Sequence, residues 1–264
     1  MKGKNVMKNK ISGKIVALLL TLIIVATSGM PLYAKETGDK ANSFRYENGQ
    51  SIAKAVPFST LSPNAWKKID GKYYSGDGSV IEGAVAKGID VSHHQGTVDW
   101  KKAKEDGVEF AIIRCGFGMN QTKQDDAQWF NNVKGCEENN IPYGVYLYSY
   151  ADTVKKAQSE AEHVLRLIKG HTLAYPVYYD IEEKAVLNKL TAEQLGKIAA
   201  TFVNKVKAEG YQTGIYSNKS NFETFLTDSQ FSQWNKWVAQ YNSAACTYKG
   251  TYQVWQPIQE QSMG

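Results

Sequence analysis

From Ala84 onward the sequence alternates short, almost continuously apolar runs with amphipathic stretches of helical period, and few folds satisfy both patterns. The runs Val85–Val91, Val108–Gly116, Tyr143–Tyr150, Pro176–Glu183 and Thr213–Ser217 read as strands. Helices are expected over Asp99–Asp106, about 125–138, Thr153–Ile168 and from Thr191 to Gly210. The last has Gln194 three residues after Thr191, the capping-box spacing, and then Leu195, Ile198, Ala199, Phe202, Val203 and Val206 at helical period. Ser220–Leu226 reads as one more helix. Trp237–Tyr241 and Thr251–Gln256 read as two further strands, joined by a connection too short for a full crossover helix. Strands apolar on both faces and separated by helices imply a parallel sheet covered by helices, either doubly wound or closed as a barrel.

The polar residues choose between these two. Asp90 ends the first strand, Arg114 and Cys115 the second, Tyr148 and Tyr150 the third, Asp180 and Glu182 the fourth. Polar groups at successive strand C-termini mark the working face of a β/α barrel, whereas a doubly wound sheet concentrates them at one switch point. No G-x-G-x-x-G or P-loop follows the first strand, which weighs against nucleotide binding. Side chains two apart on a strand share a face, so Asp180 and Glu182 project together while Ile181 and Glu183 point the other way. Glu183 is therefore expected to be solvated or in a local salt bridge. Forced proximity raises the pKa of one member of a carboxylate pair, and a protonated acid beside an ionised one is what glycoside cleavage requires. Taken alone, a D-x-E also fits a strand end running into a solvated turn.

A longer set of motifs carries a resemblance. Gly88-Ile89-Asp90-Val91-Ser92-His93-His94-Gln95-Gly96, Asp99-Trp100 and Phe110-Ala111-Ile112-Ile113-Arg114 resemble the opening of glycoside hydrolase family 25, the bacterial and phage muramidases. Tyr143-Gly144-Val145-Tyr146, Pro176-Val177-Tyr178-Tyr179-Asp180-Ile181-Glu182, Gly214-Ile215-Tyr216-Ser217 and Trp237-Val238-Ala239-Gln240-Tyr241 follow in that family's order. The resemblance covers about residues 84–257. It implies an irregular β/α barrel, TIM-like with fewer helices than strands. The implied reaction is retaining hydrolysis of the β-1,4 bond between N-acetylmuramic acid and N-acetylglucosamine in peptidoglycan, without a cofactor or metal. Glu182 matches the proton donor, Asp180 the acid assisting at the anomeric side, and Asp90 the carboxylate ending the first strand. The resemblance implies an ionised Asp180 beside a protonated Glu182. Whether a carboxylate or the substrate's own N-acetyl group meets the anomeric carbon stays open. Tyr148, Tyr216, Trp237 and Gln240 align with positions lining a sugar groove, with Arg114 as a further substrate contact, although each of the four could instead be core.

Two departures stand out. The family's last strand carries a V-D motif, and none appears before Ser262-Met263-Gly264, so the barrel is expected to lack its last strand. An aromatic usually follows the Gln of Gln256-Pro257. A non-catalytic cell-wall glycan-binding protein on the same barrel remains an alternative, and His93-His94 leaves a metal-dependent polysaccharide deacetylase as a more distant one. Metal-binding helices favour His at i and i+4, a spacing this pair lacks.

The first 34 residues read as a signal peptide: five lysines, then an apolar run from Ile15 to Ala26 interrupted only by Thr21, then Pro31-Leu32-Tyr33-Ala34. That run is shorter than the about 20 residues a membrane span needs. Cleavage removes five of 31 basic residues and no acid, leaving 26 against 26, so the formal +5 is not a nucleic-acid or membrane patch. Residues 35–65 read as a linker. Residues 66–83, with Asp70-Gly71 and Asp77-Gly78 around Tyr73-Tyr74, read as a small aromatic hairpin, and 84–264 as the barrel domain. Three cysteines are too few for a disulfide framework, so Cys115, Cys136 and Cys246 are expected to be free thiols. The expected protein is a secreted or cell-wall monomer whose partners are peptidoglycan glycan strands, with no nucleic acid and no stable membrane span.

Overall fold

The computed structural model describes residues 67–75, 78–241 and 245–258, together with the backbone of 46–47 and 50–51. The expected export signal and most of the expected linker lie outside the described residues. Two-residue strands β1 (Tyr46–Glu47) and β2 (Gln50–Ser51) pair antiparallel. Strands β3 (Lys67–Ile69) and β4 (Lys72–Tyr74) form a hairpin whose turn places Asp70 and Gly71 at positive φ, as an Asp-Gly turn requires. Tyr73 fastens the hairpin to the main body: its hydroxyl donates to Val85 O (3.0 Å) and Glu109 Oε2 (2.6 Å).

The main body is a seven-stranded, all-parallel sheet: β5 (Gly88–Val91), β6 (Phe110–Phe117), β7 (Tyr143–Tyr148), β8 (Val177–Asp180), β9 (Thr213–Asn218), β10 (Asn235–Tyr241) and β11 (Val254–Ile258). The strands lie side by side in chain order, with β5 and β11 as the edges. Helices α1 (Trp100–Glu105), α2 (Trp129–Glu138), α3 (Val154–Ile168), α4 (Lys184–Leu187), α5 (Ala192–Ala208) and α6 (Lys219–Thr224) intervene, whereas β10 runs to β11 without one. Among the described residues this sheet forms a curled, open half-barrel of seven strands, in keeping with the expected irregular barrel. Among the described residues no helix is long and apolar enough to cross a membrane.

Strand alternation sorts two cores. Ile113, Val145, Leu147, Val177, Tyr179, Ile215 and Val238 face outward and pack with Ala161, Val164, Phe202, Val203 and Val206 of α3 and α5. The inward set is smaller and more aromatic: Ile112, Tyr146, Tyr178, Tyr216, Trp237 and Ala239. Thr191 accepts from the Gln194 amide and the Gln194 side chain accepts from the Thr191 amide, completing the expected capping box of α5.

Several boundaries differ from the sequence reading. Strand β5 starts at Gly88, because Val85 is largely exposed on the segment arriving from the hairpin. Helix α2 starts at Trp129 and not near 125, because Asp126 is spent on an Asx-type bond from the Gln128 amide and on the site below. Strand β8 stops at Asp180, because Glu183 already acts as N-cap of α4.

Candidate active site

Asp180 ends β8 at the C-terminal mouth of the half-barrel, one residue beyond the outward-facing Tyr179. The strand alternation continues past the last ladder residue. Ile181 joins the outer core, its amide bonded to Tyr216 O (3.0 Å), and Glu182 returns to the interior. Asp180 is 1% exposed and Glu182 5%, so both carboxyls are withdrawn from water. Asp180 Oδ1 has no hydrogen-bond partner among the described residues.

Burial pushes the Asp180 carboxyl well above its ordinary value, and the Glu182 charge pushes the same way. Arg114 opposes them, and Asp90 adds a further push upward. The Asp180 carboxyl is thus pushed toward its neutral form. The cause is the depth of the acid in the aromatic interior. Close buried acids titrate as a unit, so the proton belongs to the pair.

Asp90, next to last in β5, is in register with inward Ile112 and accepts a hydrogen bond from Gln256 Nε2 (2.8 Å). Tyr148 lies beside the acid pair: its hydroxyl is held in its neutral form first by burial and then by the charges of Glu182, Glu183 and Asp180. It donates to Glu183 Oε2 (3.3 Å), while Glu183 Oε1 accepts from the Ala185 amide. Glu183 is thus neither simply solvated nor salt-bridged. It caps a helix and holds the Tyr148 hydroxyl.

Tyr216 and Trp237 share the layer of Asp180 and Tyr148. Tyr216 and Trp237 are buried in the barrel interior, where the Trp237 ring meets Tyr216 (4.4 Å), Tyr178 (5.4 Å) and Tyr146 (5.7 Å) between centroids. The interior of a small barrel is filled by side chains, and these rings do so in the layer of Asp180: Tyr216 is in register with Asp180 and Trp237 with Tyr216. Gln240 is half-buried and its Oε1 accepts from Thr247, which ties down the 245–250 loop. Arg114 is fully buried and its charge acts on Asp180. Its Nε donates to Asp126 Oδ2 (2.7 Å) and its Nη2 meets His93 Nδ1. The Asp126 carboxyl, although burial works against its charge, is held well below the usual range by Arg114 and by His93, whose amide donates to it (3.0 Å). A shift of register between Arg114 and Gly116 gives β6 one extra residue there; a bulge of this kind re-aims side chains beside a site.

Sequence reasoning missed Asp126, which sits in a connection whose Asp125-Asp126 pair looked like a helix start. It noted Gln256 only for the proline that follows. His93 and His94 stack with ring centroids 4.0 Å apart, and His93 is committed to Arg114 and Asp126. Among the described residues no three His, Cys, Asp or Glu side chains are grouped as metal ligands. Cys115, Cys136 and Cys246 are free thiols, the first two buried. A cleft of about 150 Å³ opens between the segments leading into β8 and β9, lined by Leu173, Ala174, Tyr175, Gly210, Tyr211 and Gln212. It lies at the other end of the strands and contains no acid.

Comparison with known proteins adds three findings. The sequence pattern described as "Glycosyl hydrolases family 25" matches residues 89–263. The autolytic lysozyme of Clostridium acetobutylicum is 26% identical over 166 residues, covering 63% of this chain and 48% of that protein. The chain thus spans about half the length of the curated relative it matches. The modular autolysin LytC from Streptococcus pneumoniae, solved in complex with synthetic peptidoglycan ligand, matches with a TM-score of 0.62 at 32% identity over 72% of this chain and 47% of its own. The bacterial lysozyme from Streptomyces coelicolor shares the fold, with a TM-score of 0.57 at 23% identity over 66% of this chain and 82% of its own.

Proposed function

The chain belongs to glycosyl hydrolases family 25, and from that premise we propose that it is a secreted lysozyme. In this reading it hydrolyses the β-1,4 bond between N-acetylmuramic acid and N-acetylglucosamine in peptidoglycan, with retention of configuration. The observation that carries the proposal is the gathering of Asp90, Asp180 and Glu182 at one barrel mouth, with Asp180 buried and Asp180 Oδ1 unpartnered among the described residues. An acid pair sharing a proton in a dry site supplies both halves of glycoside chemistry. Glu182 delivers the pair's proton to the glycosidic oxygen as the bond to the anomeric carbon breaks. Asp180, then ionised, faces the positive charge developing at that carbon, directly or by orienting the substrate's acetamido group. Water next adds to the anomeric carbon and returns a proton to Glu182. Tyr148 is placed to contact the sugar from the β7 end, and Arg114 acts from below as a fixed positive charge.

The test is release of new reducing ends from purified cell wall. Glu182→Gln is expected to lower the rate by at least about 1,000-fold, the scale of losing the proton donor together with the shared proton. Glu183→Gln is expected to keep most of the activity, because an amide oxygen still caps α4. A wall that binds the chain yet yields no reducing ends would point to a glycan-binding protein instead. Release of acetate that stops on chelation would point to the deacetylase. Proton NMR of the first-formed anomer checks retention.

A further inference from the structure

The seven parallel strands leave β5 and β11 as the two edges of the sheet, with six strand-to-strand ladders between them. Gln256 on β11 is in register with Ala239, and Asp90 on β5 with Ile112; both partners belong to the inner core, so both side chains face the barrel interior. Curling of the sheet brings these inward groups together, and Gln256 Nε2 donates to Asp90 Oδ2 at 2.8 Å across 166 residues of chain. Pro257 follows Gln256 and removes one backbone donor from this edge strand. A side-chain amide therefore links the two edges, and one of its ends is a carboxylate of the candidate site.

We propose that Gln256 is a positioning residue that spans the seam of the half-barrel and orients Asp90 as a hydrogen-bond acceptor toward the bound glycan. The inference rests on the lysozyme reading for its kinetic consequences, though not for the contact itself. A bond from a neutral donor to a carboxylate favours the ionised form and fixes the orientation of the carboxyl plane. The amide's own Oε1 has no partner among the described residues and is shielded from solvent, which gives the same side chain an acceptor for a substrate N–H or hydroxyl. Glutamine suits this place because it offers a donor and an acceptor without charge; a carboxylate there would face Asp90 as a like charge.

The experiment uses the full chain labelled with nitrogen-15. The Gln256 side-chain amide signals are expected to lie apart from those of solvated glutamines, to move in Asp90→Asn and to stay in place in Glu183→Gln. In wall hydrolysis, Gln256→Ala is expected to lower kcat about 10- to 100-fold, the scale of a charge-assisted hydrogen bond, with KM changed less than about threefold. Gln256→Glu is expected to lose at least as much. The Asp90→Asn and Gln256→Ala double variant is expected to be no slower than Asp90→Asn alone, because one residue acts through the other. Gln256 signals indifferent to Asp90→Asn, or fully additive losses, would overturn the proposal. If the wild-type chain released no reducing ends, the lysozyme reading would fall, while the amide signals would still decide the link between Gln256 and Asp90. Should Gln256→Ala not fold, the wild-type and Asp90→Asn spectra decide alone.

Discussion

Glu160 shows how a residue outside the barrel controls one inside it. It lies on α3, is fully buried, and accepts from the Tyr150 amide (2.9 Å), Ser149 Oγ (2.8 Å) and Tyr179 Oη (2.5 Å). Those donors flank Tyr148 and Asp180, so one carboxylate ties together the ends of β7 and β8. Burial drives the Glu160 carboxyl up, the three donors drive it down, and the balance is a value of about 7. Because this folded value exceeds the ordinary 4.5, the folded chain holds the proton more tightly than the unfolded one. Stability attached to this group is therefore fully present below about 4.5 and is lost as pH rises through about 7, by an amount on the order of a few kcal/mol. Glu160→Gln, whose amide does not ionise, is expected to gain in thermal stability relative to wild type between pH 5 and pH 8. Melting temperatures measured across that range check it, and a constant difference would show that Glu160 is not the titrating group.

At the scale of elements, close packing of helices on the sheet leaves little slack. Helix α2 presents Gly135 to Trp100 of α1, and a Cβ placed there would lie 2.0 Å from the Trp100 ring. Gly135→Ala raises helix propensity but forces the indole or the helix to move, and overpacking of this kind costs about 1–3 kcal/mol. The two effects oppose each other, and the steric one is larger. A fall of several degrees in melting temperature is expected, and a rise would show that α1 yields freely. Gly144 works differently: Tyr175 and Pro176, on the segment entering β8, approach its backbone. The sequence shows a glycine in both places, but only packing tells what each one makes room for.

For the whole molecule, Glu109 joins the hairpin to the barrel. Partial burial disfavours its charge, but bonds from Lys68, Tyr73 and the Lys87 amide outweigh that and hold its carboxyl at about 2. A lowered carboxyl stabilises the fold above its ordinary 4.5 and stops doing so as pH falls through about 2. Asp126, held low by Arg114, acts in the same direction. Glu109→Gln is therefore expected to be cleaved faster by protease within residues 67–83 at neutral pH. Its difference from wild type should shrink as pH drops from about 5 toward 2. Equal cleavage at neutral pH would mean that apolar contact, not this hydrogen-bonded junction, holds the hairpin.

The order of the seven main strands and of every helix but the short α4, the parallel sheet, the capping box of α5 and the acids at strand ends were legible in the sequence, because each depends on period and spacing along the chain. The motifs quoted from Gly88 to Tyr241 were also enough to suggest the family. Tyr216 and Trp237 were ambiguous because ring type and strand position are the same for a groove and for an interior plug; the structure buries both in the layer of Asp180. The bond from Arg114 to Asp126 was out of view because Asp126 sits in a connecting segment. The proton's place between Asp180 and Glu182 depends on burial and on charges from other strands, which no local pattern records. The link from Gln256 to Asp90 lay furthest from view, since it joins residues 166 apart and exists only because the sheet bends until its two edges face each other.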